Sequence, residues 1–309
     1  MVTPAPTTLS QLLSSSEIIL LDGAMATELE SLGVDTSSAL WSSVAMASDP
    51  DAIRAVHRSY LEAGSRVLVT NSYQACPDDF VSAGWEREAA EGLVRDSARL
   101  ALDSVDEWPG EPPVVVAGSV GPYGAHLADG SEYTGDYRLD DEGYRNFHRP
   151  RLQLLYEAGI RTFAVETQPR LDEVLAVLGL LRDEFADADA YVSFSLADAR
   201  HLPDGTALAD AARGVSRFSA VAAVGINCVP RGWVSDALTA LRAGTDLPLL
   251  AYPNSGEVYD PTTKSWAPGP DQDRQAALVP QWVKAGARLL GGCCRTSPAT
   301  IRELARITS

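Results

Sequence analysis

Short, mostly apolar runs recur along this chain at residues 18–21, 67–70, 114–117, 162–165, 191–195, 220–228, 247–251 and 287–290. Between them the apolar residues fall at helical spacing over 51–63, 86–105, 141–158, 171–185, 208–217, 234–243 and 273–285. After the last run, Ser297 suits a helix N-cap and Pro298 the first helical position, so one more helix closes the chain. Strands that alternate with helices pair in parallel, because each helix carries the chain back to the starting edge. Eight such units in 309 residues predict an α/β fold of the (β/α)8 TIM-barrel type. A doubly wound open sheet is the alternative, since strand count alone does not prove closure. No linker interrupts the pattern, so residues 1–309 read as a single domain. Residues 1–16, rich in Ser, Thr and Pro, read as a polar N-terminal segment.

The residues that could do chemistry stand where strands end. Asp22, Asn71, Ser119, Glu166, Asn227, Cys228, Asn254, Cys293 and Cys294 all occupy such positions. In a barrel those ends converge on one mouth, where active sites lie. Gly291-Gly292-Cys293-Cys294-Arg295-Thr296 is the most unusual stretch. Neighbouring side chains on a regular strand point to opposite faces, so both cysteines can serve one site only where the chain leaves strand geometry. The two glycines allow that departure. Cys228 stands at the end of another strand, two units earlier. Three cysteines at two strand ends, without the CxxC spacing of common structural sites, suggest a single zinc ion with an open fourth position. Buried thiols acting as small hydrophobes, or a strained vicinal disulfide, are the alternatives. Cys76, beside Pro77 in a loop, reads as a bystander.

Asp22 and Glu166 at one mouth could hold an ammonium group, and the backbone amides after Gly23 could receive a carboxylate. That combination would make an amino-acid site. The alternative for each acid is a helix cap or a solvated loop residue. Residues 118–124, Gly-Ser-Val-Gly-Pro-Tyr-Gly, lack both the Walker lysine and the dinucleotide-binding glycine spacing. They read as an irregular loop running on to Tyr133, a wall of the pocket in which Tyr123 offers a π-face to a cation. His57, His126, His148 and His201 show no paired metal-ligand spacing and read as structural or surface residues.

A formal charge of −17 argues against nucleic acid or an anionic membrane surface as a partner. Four cysteines in a chain of this length make no disulfide framework, and no signal peptide or membrane-length apolar run is visible. The expectation is a cytoplasmic enzyme acting on small molecules. Nothing in the sequence specifies an oligomeric state.

Read together, Asp22-Gly23-Ala24-Met25-Ala26-Thr27-Glu28-Leu29, Ala117 to Ala125, Glu166-Thr167, Gly225-Ile226-Asn227-Cys228 and the Gly-Gly-Cys-Cys-Arg-Thr stretch resemble the zinc-dependent homocysteine S-methyltransferases. The likeness runs from about residue 20 to 297 and is greatest toward the single-domain members that use S-methylmethionine. It implies a (β/α)8 barrel with one zinc ion on Cys228, Cys293 and Cys294. It also implies homocysteine held through Asp22 and Glu166, with Gly23 and Asn227 beside them. The implied reaction activates the homocysteine thiol on zinc and moves a methyl group from a sulfonium donor to give methionine, with no general base on the protein. S-methylmethionine is the preferred donor and S-adenosylmethionine the second. A betaine-dependent enzyme and a non-enzymatic zinc or thiol redox-sensing barrel are the rival functions. The cobalamin-binding D-x-H-x-x-G is absent. Gln168 departs from the apolar residue expected after the Glu-Thr pair, which questions the packing there rather than the chemistry.

Overall fold

The computed structural model describes residues 7–15, 17–36, 41–110, 113–260, 265–267 and 275–308. Eight parallel strands form the barrel: β1 (Ile19–Leu20), β2 (Val67–Val69), β3 (Val115–Val120), β4 (Thr162–Gln168), β5 (Asp189–Phe194), β6 (Val221–Asn227), β7 (Leu249–Tyr252) and β8 (Ala287–Leu290). Each pairs with its neighbour in sequence order, and β8 pairs with β1. Between β1 and β2 the Arg66 amide donates to Leu20 O at 2.7 Å and the Asp22 amide to Val67 O at 3.1 Å, which closes the ring. Closure therefore decides for the TIM barrel over the open sheet.

Strand alternation sorts the apolar residues into two cores. Leu20, Val116, Leu249 and Ala251 face outward into the layer between strands and helices. Ile19, Leu21, Val115, Ala117, Leu250 and Tyr252 face inward and fill the barrel. The helices outside follow the predicted spans closely, as in Pro50–Ala63, Arg87–Asp106 and Asp141–Glu157. Residues 273 and 274, expected to begin the seventh of these helices, lie outside the described residues. The last helix does begin at Pro298.

Besides a short helix, Tyr123–Leu127, inside the expected irregular loop, three features differ from the sequence reading. Within the expected polar segment, Leu9–Ser15 is a helix whose Leu9, Leu12 and Leu13 are buried among the inward-facing barrel residues. Its i, i+3, i+4 leucines make one apolar stripe. It docks at the N-terminal ends of β4 and β5, where the Leu9 amide donates to Thr162 Oγ1 (3.1 Å) and the Ser10 amide to Asp189 Oδ2 (2.8 Å). Second, β3 runs on through Gly118, Ser119 and Val120, expected to lie in a loop. Gly118 fits inside a strand because a Cβ there would press on Ile160 and Leu155 at 3.1 Å. Third, an antiparallel hairpin, Val258–Asp260 with Ser265–Ala267, follows β7 where no strand was expected.

Candidate metal centre and active site

The mouth is built by local departures from strand geometry. Thr167, Cys228 and Arg295 all have left-handed backbone, at φ 57°, 54° and 63°. For a residue with a side chain that conformation costs about 1–2 kcal/mol, so the surrounding contacts must hold it. They are visible. The Thr167 amide donates to Asn227 Oδ1 (2.9 Å), and Asn227 Nδ2 donates to Thr167 Oγ1 (2.7 Å). Asn227 is thereby spent clasping β4 to β6, with its Nδ2 3.9 Å from Cys293 Sγ.

The turn at Thr167 also explains Gln168. The register of β4 on β5 shifts between Val165 and Gln168. The fully buried Gln168 amide then donates to Val120 O (3.1 Å) and Glu166 O (3.2 Å). A polar residue stands there because it supplies donors to strand-end carbonyls, which an apolar one would not.

The cysteine loops share one mount, the segment after β7. The Cys228 amide donates to Tyr252 O (3.3 Å), the Cys293 amide to Pro253 O (2.9 Å), and the Ser255 amide to Cys294 O (3.0 Å). The glycines before the pair are required by close approach. A Cβ on Gly291 would lie 2.8 Å from Leu21 Cβ, and one on Gly292 would collide with Thr296. The result places Cys228 Sγ 2.7 Å from Cys293 Sγ and 3.5 Å from Cys294 Sγ. All three sulfurs lie within 4.8 Å of one another, half-buried, the one such grouping of metal-ligating side chains among the described residues. Cys76 is buried elsewhere, at the start of the short helix Pro77–Ser82. Within the cluster the thiols of Cys293 and Cys294 push Cys228 toward the thiolate by hydrogen bonding to it, and in turn their own pKa values are pushed up, which holds them as thiols. Three adjacent thiolates need a cation to coexist, so the donor set fits a thiophilic metal ion.

Asp22 and Glu166 flank the cluster, both nearly buried. Asp22 Oδ2 accepts from the Val69 amide at 2.8 Å. Glu166 accepts from the Ser119 hydroxyl and, at 3.0 Å, from the Tyr252 hydroxyl. Burial drives the Asp22 carboxyl well above its ordinary range, and the Glu166 charge adds to the effect. Burial likewise raises Glu166 to about 7, against the two hydroxyl donors. Among the described residues neither acid has an ion-pair partner. Gly23 lies against Tyr60 and the cysteine turn, since a Cβ would meet Thr296 Oγ1 and the Tyr60 hydroxyl at 2.8 Å. The helix Met25–Ser31 begins just beyond it with no side chain capping its first turn.

Beside Glu166, on the neighbouring strand, β3 leads into the next segment of the mouth. Tyr123, the expected cation wall, has its ring among Tyr137, Phe147 and His126. The residue from this segment that reaches the cysteines is Tyr133, whose hydroxyl lies 3.8 Å from Cys228 Sγ. It rides on a single turn, Ser131–Thr134, flanked by Gly130 and Gly135 at positive φ. The Ser195 hydroxyl ties that turn to the end of β5 through Glu132 O (3.0 Å).

A buried polar chain underlies the segment. Arg151 donates to Tyr73 O and Gly121 O, both at 2.7 Å, and faces His148 Nδ1 at 3.0 Å. A guanidinium only donates, so Nδ1 is the acceptor and Nε2–H donates to Glu173 at 2.8 Å. Glu173 in turn accepts from the Tyr123 amide and the Tyr137 hydroxyl. Sequence reading gave His148 as structural or surface and missed Arg151 and Glu173, because charged positions on amphipathic helices look like solvated faces.

Comparisons with known proteins point one way. A family model described as homocysteine S-methyltransferase matches residues 19–308. The homocysteine S-methyltransferase of Escherichia coli strain K12 is 44% identical over 301 residues, covering 96% of this chain and 97% of that one. Homocysteine S-methyltransferase YbgG of Bacillus subtilis is 41% identical, covering 96% of each. The crystal structure of the E. coli homocysteine methyltransferase MmuM in its metallated form superposes with a TM-score of 0.86, covering 96% of this chain and 98% of that one at 42% identity. Among the described residues no helix is long and apolar enough to cross a membrane.

Proposed function

The chain belongs to the homocysteine S-methyltransferase family, and from that premise we propose that it methylates homocysteine from a sulfonium donor, S-methylmethionine ahead of S-adenosylmethionine, with one zinc ion held by Cys228, Cys293 and Cys294. The observation that carries this reading is the meeting of three sulfurs within 4.8 Å beside two buried carboxyls that lack an ion-pair partner among the described residues. The metallated form of the E. coli relative supports a metal at the cysteines. When bound, zinc supplies the Lewis acidity that lets a thiol act as a thiolate at neutral pH.

The protein's own groups do the rest. Asp22 and Glu166 receive the homocysteine ammonium, which supplies the charge that their burial leaves uncompensated. The amides after Gly23 receive its carboxylate. Asn227 holds Thr167 and β4 in the turned conformation that aims Glu166 at the mouth. The Ser119 and Tyr252 hydroxyls fix the Glu166 carboxylate. Tyr133 covers Cys228, and with it the segment from Gly118 supplies the donor wall. Tyr123 supports that wall through its aromatic neighbours. Holding the donor methyl in line with the acceptor sulfur supplies the orientation contribution to the rate.

A net negative cluster of thiolates attracts a sulfonium, whose charge is neutralised as the methyl leaves. Betaine is also cationic, but it must expel a tertiary amine, a poorer leaving group than a thioether. A redox-sensing barrel leaves the Asp22 and Glu166 arrangement without a purpose. The test incubates zinc-loaded protein with homocysteine and each donor in turn and quantifies methionine. S-methylmethionine should turn over fastest and betaine negligibly. Faster turnover with betaine than with either sulfonium overturns the donor assignment.

A further inference from the structure

We infer that Glu132 is the receptor for the α-ammonium group of the methyl donor, an inference that rests on the sulfonium reading above. Glu132 sits on the same turn as Tyr133, and its Oε2 is buried with no hydrogen-bond partner. A buried carboxylate oxygen left unpaired is costly, which points to a partner that arrives with the substrate. Its place is fixed by what surrounds it. The Glu132 carboxylate feels the charge of Cys228, and the Tyr73 hydroxyl feels both Glu132 and Cys228. The Tyr73 ring packs against the same segment, since a Cβ on Gly121 would lie 2.7 Å from it. Glu132 therefore belongs to the turn that meets the cysteines, next to Tyr133, whose hydroxyl lies 3.8 Å from Cys228 Sγ.

The acids around the cluster can divide the labour of a two-substrate reaction. Asp22 and Glu166 interact, and both act on the Tyr191 hydroxyl, with Glu166 also beside Cys228. Glu132 comes from a separate turn, the one that carries Tyr133. One acidic pair serves the acceptor amino acid, and the second acidic group is left for the donor. A sulfonium has no N–H or O–H and could not satisfy Oε2 by hydrogen bonding, whereas a primary ammonium donates three hydrogen bonds. The sulfonium end would face the thiolates and the amine end Glu132. The turn carrying Glu132 has little freedom to move away. A Cβ on Gly124 would lie 2.6 Å from the Glu132 amide nitrogen, so the chain is packed directly against it, and Ser195 holds the Glu132 carbonyl.

The test compares zinc-loaded wild type with Glu132→Gln, which keeps the side-chain shape. The donors are S-methylmethionine and dimethylsulfoniopropionate, a sulfonium acid without an amine, the latter read both as a donor and as a competitive inhibitor. Glu132→Gln should raise the KM for S-methylmethionine about tenfold or more. Homocysteine KM, zinc content and unfolding temperature should stay at wild-type values, and the amine-free sulfonium should bind both proteins alike. An unchanged S-methylmethionine KM overturns the inference. So does an equal loss for both sulfoniums, which would assign Glu132 to the sulfonium charge, or an equal rise in the homocysteine KM, which would assign it to folding of the mouth. Wild-type protein inactive with every sulfonium would instead remove the donor reading on which the inference depends.

Discussion

The two ends of the barrel are built on opposite principles. At the N-terminal end, Leu9, Leu12 and Leu13 plug the interior, and the helix that carries them is pinned by ordinary hydrogen bonds to Thr162 and Asp189. At the C-terminal end, backbone at Thr167, Cys228 and Arg295 is left-handed, and Asp22 and Glu166 are buried without compensating charge. One end is relaxed and apolar, and the other is held in an unfavourable state by its neighbours. The contrast teaches where stability and function reside: the plug contributes free energy of folding, and the mouth consumes some of it to pre-arrange charges for ligands.

The sharpest way to break the contrast is to remove a sulfur. Cys228→Ala, Cys293→Ala and Cys294→Ala should each lose zinc and abolish methionine formation while the barrel still folds, since none of the three is a large core residue. Zinc content by mass spectrometry and the far-ultraviolet circular dichroism spectrum check both halves. In the wild type, X-ray absorption at the zinc edge should find three sulfur neighbours at about 2.3 Å. Full zinc content in all three variants would end the metal assignment.

At the other end the effect should be on stability alone. Leu12→Ala removes a side chain that is 1% exposed and should cost about 2–5 kcal/mol of folding free energy. Denaturant titration measures this, and the KM values and zinc content of the folded fraction should match wild type. A changed homocysteine KM would mean that the plug and the mouth are coupled through the barrel interior.

How much of this was legible beforehand follows the same division. The eight strands and their helices announce themselves through period, and the cysteines through glycines and position at strand ends. The plug was hidden because a helix of 7 residues among Ser and Thr carries too short a pattern to stand out. Gly118 looked like a loop signal, although close packing against Ile160 and Leu155 is what demands it. Tyr133 and Glu132 sit on one isolated turn, and no periodicity predicts which face of such a turn meets Cys228. Asn227 was expected beside the acids that hold homocysteine, and its clasp on Thr167 depends on a backbone turn that the sequence does not display.

Within the mouth, Asp22→Asn and Glu166→Gln sharpen the comparison by deleting charge while keeping shape. Asparagine can still accept from the Val69 amide, so the loop should hold. Loss of a charge-assisted hydrogen bond in a desolvated site costs on the order of 1.5–3 kcal/mol, roughly tenfold to a hundredfold in homocysteine affinity. Calorimetric titration of zinc-loaded protein measures it. Both variants should also be more stable than wild type when free of ligand, because a neutral amide avoids the cost of burying a carboxylate. If both bind homocysteine normally, the acids do not anchor the substrate.

The smallest effect expected, and the most specific, is in pH. Glu166 has its carboxyl raised to about 7 in the free protein, from an ordinary 4.5, chiefly by burial. Folding therefore favours its protonated form. The ligand-free protein should lose stability from this group as pH rises from about 4.5 through 7, the reverse of a salt-bridged acid. Binding an ammonium group requires the carboxylate, so the bound state pulls the ionisation back down. Homocysteine affinity should then fall as pH drops below 7, by roughly tenfold between pH 8 and pH 6 from this group. The thiol of homocysteine also loses a proton on binding, but that contribution is common to wild type and Glu166→Gln. The difference between their two pH profiles isolates the glutamate: it should be steep across pH 6 to 8, with the variant gaining relative to wild type at the acid end. Parallel profiles would mean that Glu166 is already ionised in the empty site, and that the mouth is less strained electrostatically than its burial implies.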